Sequence, residues 1–421
     1  MLFSKIKSVL KFIIIKFGAR FVATRVYRRL EFIPAVDVEG VDRVLNIISL
    51  SSHRFGPDLK LLSETGRFNI YKMPIKEQFQ IPFWFVNKDQ SSRQHYLQKI
   101  ISYLNTKINI DSFLSVTFWY ENDCLWGEAA EQAGIPYIAF HKECYKTEPK
   151  QLTMTVRRGF EACPNGFPGS HIIVYNQTIK DIIIQGGFVT EDKVSVLGSM
   201  RMDSLVKRIQ KQDTKEESLV TLFSFSPGIG LDDLDCGPWP KNPYLGWVQL
   251  FRETHIAFAR AAILCPDTEF VIKPKWGNAW IDHIKLALKS VSIDLDDVPN
   301  LTISLDRNPT DLILKSKVVC GFQSTTTLEA GLADKPVIVP EFAEVIDPAY
   351  KDYVKLRNDF DIYEVATTPE IFTQKILECL KNKTISEDIV RKRKQLFEKW
   401  ISTLNGNATE LYVNKLEELM S

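Results

Sequence analysis

Phe3, Ile6, Leu10, Ile13, Ile14, Phe17 and Phe21 recur at steps of three and four residues, so the chain opens with a helix whose apolar side chains share one face. From about residue 40 the pattern changes to short β-branched runs separated by amphipathic stretches. Residues 44–50, 112–119, 135–140, 171–175 and 194–196 read as strands, with helices at 94–107, 125–133 and 177–185. A charged stretch, 208–218, leads into a second series. Its strands are 219–225, 269–273, 301–304, 317–320 and 336–339, and its helices 247–262, 280–288 and 325–331. Residues 369–381, 385–403 and 408–420 close the chain as helices. Strands alternating with helices predict mostly parallel sheets covered on both faces. The expected class is α/β, with two Rossmann-like domains facing across a cleft. The boundaries that follow are a basic amphipathic helix at 1–30, a first domain at 31–207, a second at 208–380, and helices at 381–421 packing back on the first.

Charge sharpens the reading of the N-terminus. Residues 1–30 hold eight basic side chains (Lys5, Lys7, Lys11, Lys16, Arg20, Arg25, Arg28, Arg29) and no acid. The rest of the chain has 45 basic against 52 acidic residues, a net −7, although the 421-residue whole stands at +1. The near-neutral total speaks against a nucleic-acid partner. The apolar run 12–15 is far too short to span a bilayer, which takes about 20 residues. One apolar and one cationic face suit a helix lying in the plane of an anionic membrane surface. The bland alternative is a docked helix with a solvated basic face. The expected location is cytoplasmic, peripheral on the inner face of the cell membrane. Seven scattered cysteines without a C-x-x-C pair argue against a zinc site and a disulfide framework, and fit a reducing compartment.

Several chemistries are excluded by motif. There is no G-x-x-x-x-G-K-[ST] phosphate loop, no G-x-S-x-G, and Gly228-Ile229-Gly230 lacks the third glycine of a dinucleotide fingerprint. The informative stretch runs from Val318 to Val339. A strand ends at Gly321, which lets a ligand approach the backbone, and Gln323, Ser324, Thr325 and Thr326 then open a helix. Free amides at a helix start with hydroxyls beside them form a phosphate cradle. Glu329, one turn on, can accept hydrogen bonds from ribose hydroxyls, or serve as the acid of a capping box. Ser224 and Ser226 end the first strand of the second half, and Lys273 and Lys275 end the next, where they can neutralise a diphosphate.

In the first half, His141, Lys142 and Glu143 follow the 135–140 strand, and Glu121 and Asp123 hold the equivalent place one strand earlier. His141, Glu143, Glu121 and Asp123 are the candidate catalytic groups, with Lys142 near the phosphates and Asp123 also placed to cap the following helix. Asp232, Asp233 and Asp235, like 294–297, read as acidic turns rather than a metal site. The loop 227–246 is long enough to be a lid or an acceptor-binding element.

Ser324-Thr325-Thr326-Thr327-Leu328-Glu329-Ala330 before Lys335-Pro336-Val337-Ile338 resembles the nucleotide-binding half of GT-B glycosyltransferases. Their relatives, the nucleotide-sugar 2-epimerases, the CDP-glycerol glycerophosphotransferases and the capsule and lipopolysaccharide transferases, share it. Val196-Leu197-Gly198-Ser199-Met200-Arg201-Met202-Asp203 resembles the step that ends the first half in the same families. Phe270-Val271-Ile272-Lys273-Pro274-Lys275 resembles a K-x-H-P strand end, with Lys275 where the family often has His. The resemblance implies a nucleotide-sugar donor held by Ser199, Arg201, Ser224, Ser226, Lys273, Lys275, Gln323, Ser324, Thr325, Thr326 and Glu329. It implies no separate cofactor and no metal. With the basic helix, it implies a glycosyltransferase of bacterial surface polysaccharide acting on a lipid-linked or glycan acceptor. A nucleotide-sugar epimerase and a non-catalytic membrane-bound binding protein are the alternatives.

Overall fold

The computed structural model describes residues 18–421 apart from 42, 84–89, 213–214, 232–233, 235–236, 243, 278 and 382–383. Most of the basic helix and Asp232, Asp233 and Asp235 therefore lie outside the described residues. The described chain divides into two compact units. Of the described residues, the first holds those within 18–144, 155–203 and 405–421, and the second those within 145–154 and 204–404.

The first unit is built on a seven-stranded sheet in the order β1-β3-β2-β4-β5-β6-β7. The strands are β1 (Glu31–Ile33), β2 (Leu45–Ser49), β3 (Phe68–Lys72), β4 (Ser112–Ser115), β5 (Tyr137–His141), β6 (His171–Val174) and β7 (Val194–Val196). All pairs are parallel except β1 with β3. Fully buried strands such as β4 and β5 reflect cover on both faces. The second unit has six parallel strands in the order β10-β9-β8-β11-β12-β13. These are β8 (Leu219–Phe223), β9 (Glu269–Lys273), β10 (Leu301–Ile303), β11 (Val318–Gly321), β12 (Val337–Pro340) and β13 (Glu364–Ala366). In each sheet the order reverses beside its first parallel strand, between β2 and β4 and between β8 and β11. Those reversals are the switch points at which open α/β sheets bind ligands.

The boundaries depart from the sequence-based ones at both ends of the second unit. The helix Glu387–Trp400 belongs to that unit rather than packing back on the first. Its buried Arg393 donates to the carbonyls of Ile362 at 2.6 Å and Lys335 at 2.8 Å. Only 405–421 joins the first unit, where Tyr412, Leu416 and Met420 enter the core and Asp203 anchors the start of the helix. Its two carboxylate oxygens accept from the Ala408 and Thr409 amides at 2.9 and 2.7 Å, capping the helix Ala408–Met420. Tyr412 of that helix is buried and donates to the Gly198 carbonyl. Residues 145–154, expected in the first domain, pack in the second. There the Leu356 amide donates to Thr147 Oγ1, and Lys355 lies 4.4 Å over the Tyr145 ring.

Ala19–Tyr27, the described part of the basic helix, is docked. Ala19, Val22, Ala23 and Val26 are buried, and Arg25 and Arg29 both pair with the buried Glu77. Phe21, expected on the apolar face, is 73% exposed. The cysteine expectation also needs correction, since Cys124 and Cys163 are joined by a disulfide. The two positions are 39 residues apart in sequence and carry no spacing signal. Among the described residues, no helix is long and apolar enough to cross a membrane.

Candidate functional site

In the second unit, the loops after β8 and β11 meet at the switch point. Ser224 lies at the foot of this site. The His255 ring is fully buried, with Nδ1 donating to the Phe251 carbonyl at 2.6 Å, and burial pushes its pKa down to about 4. The neutral ring therefore accepts at Nε2 from the Ser224 hydroxyl at 2.8 Å, while the Trp280 indole donates to Ser224 at 2.8 Å. Ser224 thus directs its hydroxyl hydrogen inward, and what it presents outward is an acceptor. Ser226 is 6% exposed, and its carbonyl accepts from the Ile229 amide.

The helix Thr325–Leu332 begins directly after β11. Ser324 is its N-cap, accepting from the Thr326 amide at 3.3 Å and the Thr326 hydroxyl at 2.8 Å. Glu329 is not the acid of a capping box, which would stand at position 327. It is 5% exposed and accepts from the Thr325 hydroxyl at 2.7 Å. Ser324, Thr325 and Thr326 keep part of their surface exposed at the helix start. A Cβ at Gly321 would lie 3.1 Å from Thr327 Cγ2, so the glycine makes room for the helix that follows. Gln323 has a left-handed backbone (φ 56°), and its amide donates to the Tyr353 carbonyl at 2.8 Å. Gln151 donates to the same carbonyl at 3.4 Å, and the two amide side chains flank Gly230. On the next strand, Lys273 donates to the Leu305 carbonyl at 2.7 Å, and burial lowers its pKa. Lys275 is exposed, its ammonium 5.2 Å over Trp276.

The loop 227–246 is pinned at several described points. The Gly228 amide donates to the Pro238 carbonyl, the Trp247 amide to the Pro227 carbonyl and the Gly246 amide to the Tyr350 hydroxyl. Trp239 stacks on His283 at 4.1 Å.

In the first unit, the catalytic candidates separate by burial. His141 is fully buried, with Nδ1 2.8 Å from Thr117 Oγ1 and its ring against Phe118. Glu121 and Glu143 are exposed. Asp123 is fully buried and does not act as the helix cap, because Tyr120 holds that position. Its Oδ1 accepts from Ser51 at 2.8 Å and from Gln78, and its Oδ2 has no hydrogen-bond partner. Burial pushes this carboxyl up to about 7, against the opposing hydrogen bonds and Arg54. Ser199 is buried beside Tyr175, and Arg201 Nε lies 3.3 Å from Asp58. Ser199 and Arg201 therefore sit in the first unit, apart from the other nucleotide candidates in the chain's division.

Because Asp123 binds its proton more tightly folded than its ordinary value of 3.8 allows, its contribution to stability is complete below about pH 4 and is lost as pH rises through about 7. Asp123→Asn keeps the acceptor for Ser51 and Gln78 without the charge. Its urea midpoint should gain on the natural protein between pH 4 and pH 8, by at least about 1 kcal/mol. A difference that stays constant with pH would show Asp123 ionised throughout.

The residues that sequence reasoning missed around this candidate site are His255, Trp280, Gln151 and Tyr353. None stands in a recognisable motif, and each joins the site through a tertiary hydrogen bond.

No protein-family model matches the chain, and no curated protein matches it. Solved structures do. A Listeria monocytogenes protein assigned as a UDP-N-acetylglucosamine 2-epimerase aligns over 89% of this chain and 96% of its own, at 12% identity and TM-score 0.53. A second UDP-N-acetylglucosamine 2-epimerase aligns over 89% and 95%, at 13% identity and TM-score 0.51. Anabaena HepE, solved with UDP and glucose, aligns over 89% and 99% at 14% identity, with a TM-score of 0.47. The fold is that of the GT-B class, two Rossmann-like α/β units in one chain.

Proposed function

We propose that this protein is a nucleotide-sugar-dependent glycosyltransferase of bacterial surface polysaccharide assembly, acting at the cytoplasmic face of the membrane on a lipid-linked or glycan acceptor. The observation that carries the reading is the coincidence of the hydroxyl-rich helix start, Ser324 to Thr326, with the switch point between β8 and β11. A helix N-terminus at that place favours the donor's phosphates, and Glu329 takes a ribose hydroxyl. Transfer then needs a base for the acceptor hydroxyl. The exposed Glu143, on the loop after β5, fits that role better than the buried His141. Residues 1–17 supply the membrane contact, and the reaction uses neither metal nor separate cofactor.

A thermal-shift screen against UDP-, GDP-, CDP- and CMP-sugars tests the donor. A ligand at one hundred times its dissociation constant stabilises by about 2.7 kcal/mol. Glu329→Ala should weaken the best nucleotide by on the order of tenfold or more, since a bond to a charged group contributes about 1.5–3 kcal/mol. Unchanged affinity in the folded variant would return Glu329 to a purely local role beside Thr325. The second reading, a nucleotide-sugar epimerase, is favoured by the named activity of the two proteins with TM-scores above 0.5. Product analysis separates the two, because an epimerase releases an altered nucleotide-sugar without any acceptor. A binding protein would retain affinity and show no turnover, with Glu143→Ala changing neither.

A further inference from the structure

We propose that the outer face of the docked helix Ala19–Tyr27, with Phe21 at its centre and Arg20 and Arg28 beside it, lies against an anionic lipid surface. The folded first unit then adds its own contact to that of residues 1–17. This rests on the membrane location proposed above and is independent of the transferase chemistry.

Two apolar stripes meet in this helix. Ala19, Val22, Ala23 and Val26 are buried against the fold, and on their flank the Thr24 hydroxyl donates to the Tyr103 hydroxyl of the helix Gln90–Ile108 at 3.0 Å. The other stripe is the one that recurs at three- and four-residue steps from Phe3 to Phe21. At about 100° per residue it falls on the side opposite the docked stripe. Phe21 is its member within the described helix, and it is 73% exposed. Arg28, seven residues further on, shares that side, and Arg20 flanks it; both are exposed. The docked side thus uses alanine and valine, while the phenylalanine, which gains more by leaving water, faces out. Tyr27 and Phe32, the latter on the edge strand β1, are exposed as well. Tyr71 joins them, with its ring 4.8 Å from Phe32 and its hydroxyl pKa raised by burial and then by Tyr27.

The charges around this face are cationic. The helix Ala19–Tyr27 and the helices that it touches, Ile75–Phe83 and Gln90–Ile108, contain one acid among their described residues, Glu77, and it takes both Arg25 and Arg29. Glu31 on β1 is paired with Lys72 at 2.6 Å. Asp37 and Glu39 lie further along the chain, on the loop whose Val36 amide donates to Ser63 at the end of the helix Gly56–Glu64. Among the described residues, Arg20, Arg28, Lys76 and Lys107 have no acid partner, and Lys107 stands 6.0 Å over the Tyr103 ring that Thr24 reaches. The chain enters the helix from residues 1–17, which hold Lys5, Lys7, Lys11 and Lys16 and no acid. A large aromatic side chain ringed by cations matches an anionic bilayer, whose interface takes the ring and whose headgroups take the charges.

Co-sedimentation of the full chain with phosphatidylcholine vesicles, with and without phosphatidylglycerol, tests the surface. Phe21→Gln should weaken partition into the anionic vesicles by on the order of tenfold, and that loss should persist as salt is raised. Arg20→Gln combined with Arg28→Gln should weaken it by about twentyfold at low salt, with the effect shrinking at high salt and absent on phosphatidylcholine alone. All three positions are exposed, so the urea midpoints should match that of the natural protein. Partition equal to the natural protein's in both variants would overturn the proposal, leaving residues 1–17 as the membrane contact. A natural protein that binds no vesicles would overturn this surface and the membrane location together. An oligomer lost in Phe21→Gln with vesicle binding unchanged, read by sedimentation velocity, would assign the face to a second copy and overturn the proposal. If no nucleotide-sugar binds while the variants still lose vesicle binding, the transferase reading fails and the lipid surface stands.

Discussion

Trp247→Ala should destabilise the second unit by about 3–5 kcal/mol, read as a lower urea midpoint. The side chain is fully buried, and removing it leaves a cavity as well as lost apolar contact. Its indole donates to the Ile229 carbonyl at 2.7 Å, and its ring packs on Phe322 and Tyr350 at 5.2 and 5.0 Å. Ile229 follows β8 and Phe322 follows β11, so one side chain braces both loops of the switch point. Nucleotide affinity should fall with stability for that reason. Trp247→Phe keeps most of the volume and loses the N–H, and should cost less, about 1–3 kcal/mol. An unchanged midpoint for the alanine variant would show that neighbours refill the site and that the loops are held by other contacts.

Removing residues 1–17 should reduce binding to anionic vesicles by about three orders of magnitude. Lys5, Lys7, Lys11 and Lys16 lie in that segment, and each basic side chain near such a surface contributes about 1 kcal/mol, while a factor of ten takes 1.4 kcal/mol. Salt should release the full-length protein in part, because the attraction is screened over about 8–10 Å. The cut belongs at 17 and not at 30. Beyond Gly18, four apolar residues are buried and Arg25 and Arg29 are committed to Glu77, so a longer deletion would remove packing as well as charge. Equal sedimentation with and without residues 1–17 would refute membrane attachment through this segment.

Much of this fold is legible in the chain because its strands are buried and its helices are amphipathic. Gln177–Gln185, Val194–Val196, Glu269–Lys273 and Ala408–Met420 match their sequence-based bounds. β1, β3 and β13 escaped notice, being short or mixed in burial, with little periodicity to read. The helices Gly56–Glu64 and Pro149–Ala162 were missed as well, one opening on Gly-Pro and the other on a proline inside a polar stretch. The expected strand 112–119 ends at Ser115, and the residues after it lead to Tyr120, the N-cap of the helix Glu121–Gln132.

Sequence by itself determined the two β/α series, the hydroxyl-rich helix start after β11 and the carboxyl-edge positions of His141, Glu143 and Asp123. Each of these depends on local periodicity or on neighbours within a few residues. Tertiary structure alone decided which of those side chains remain accessible, since burial is a property of packing. It placed Glu143 at the surface and enclosed His141 and Asp123. It also decided that Asp203 caps a helix 205 residues away, that Ser224 faces a buried histidine, and that Arg25 and Arg29 share Glu77. Such partners are brought together by strand order, and strand order is set by how the sheets bury their faces, which no local pattern encodes.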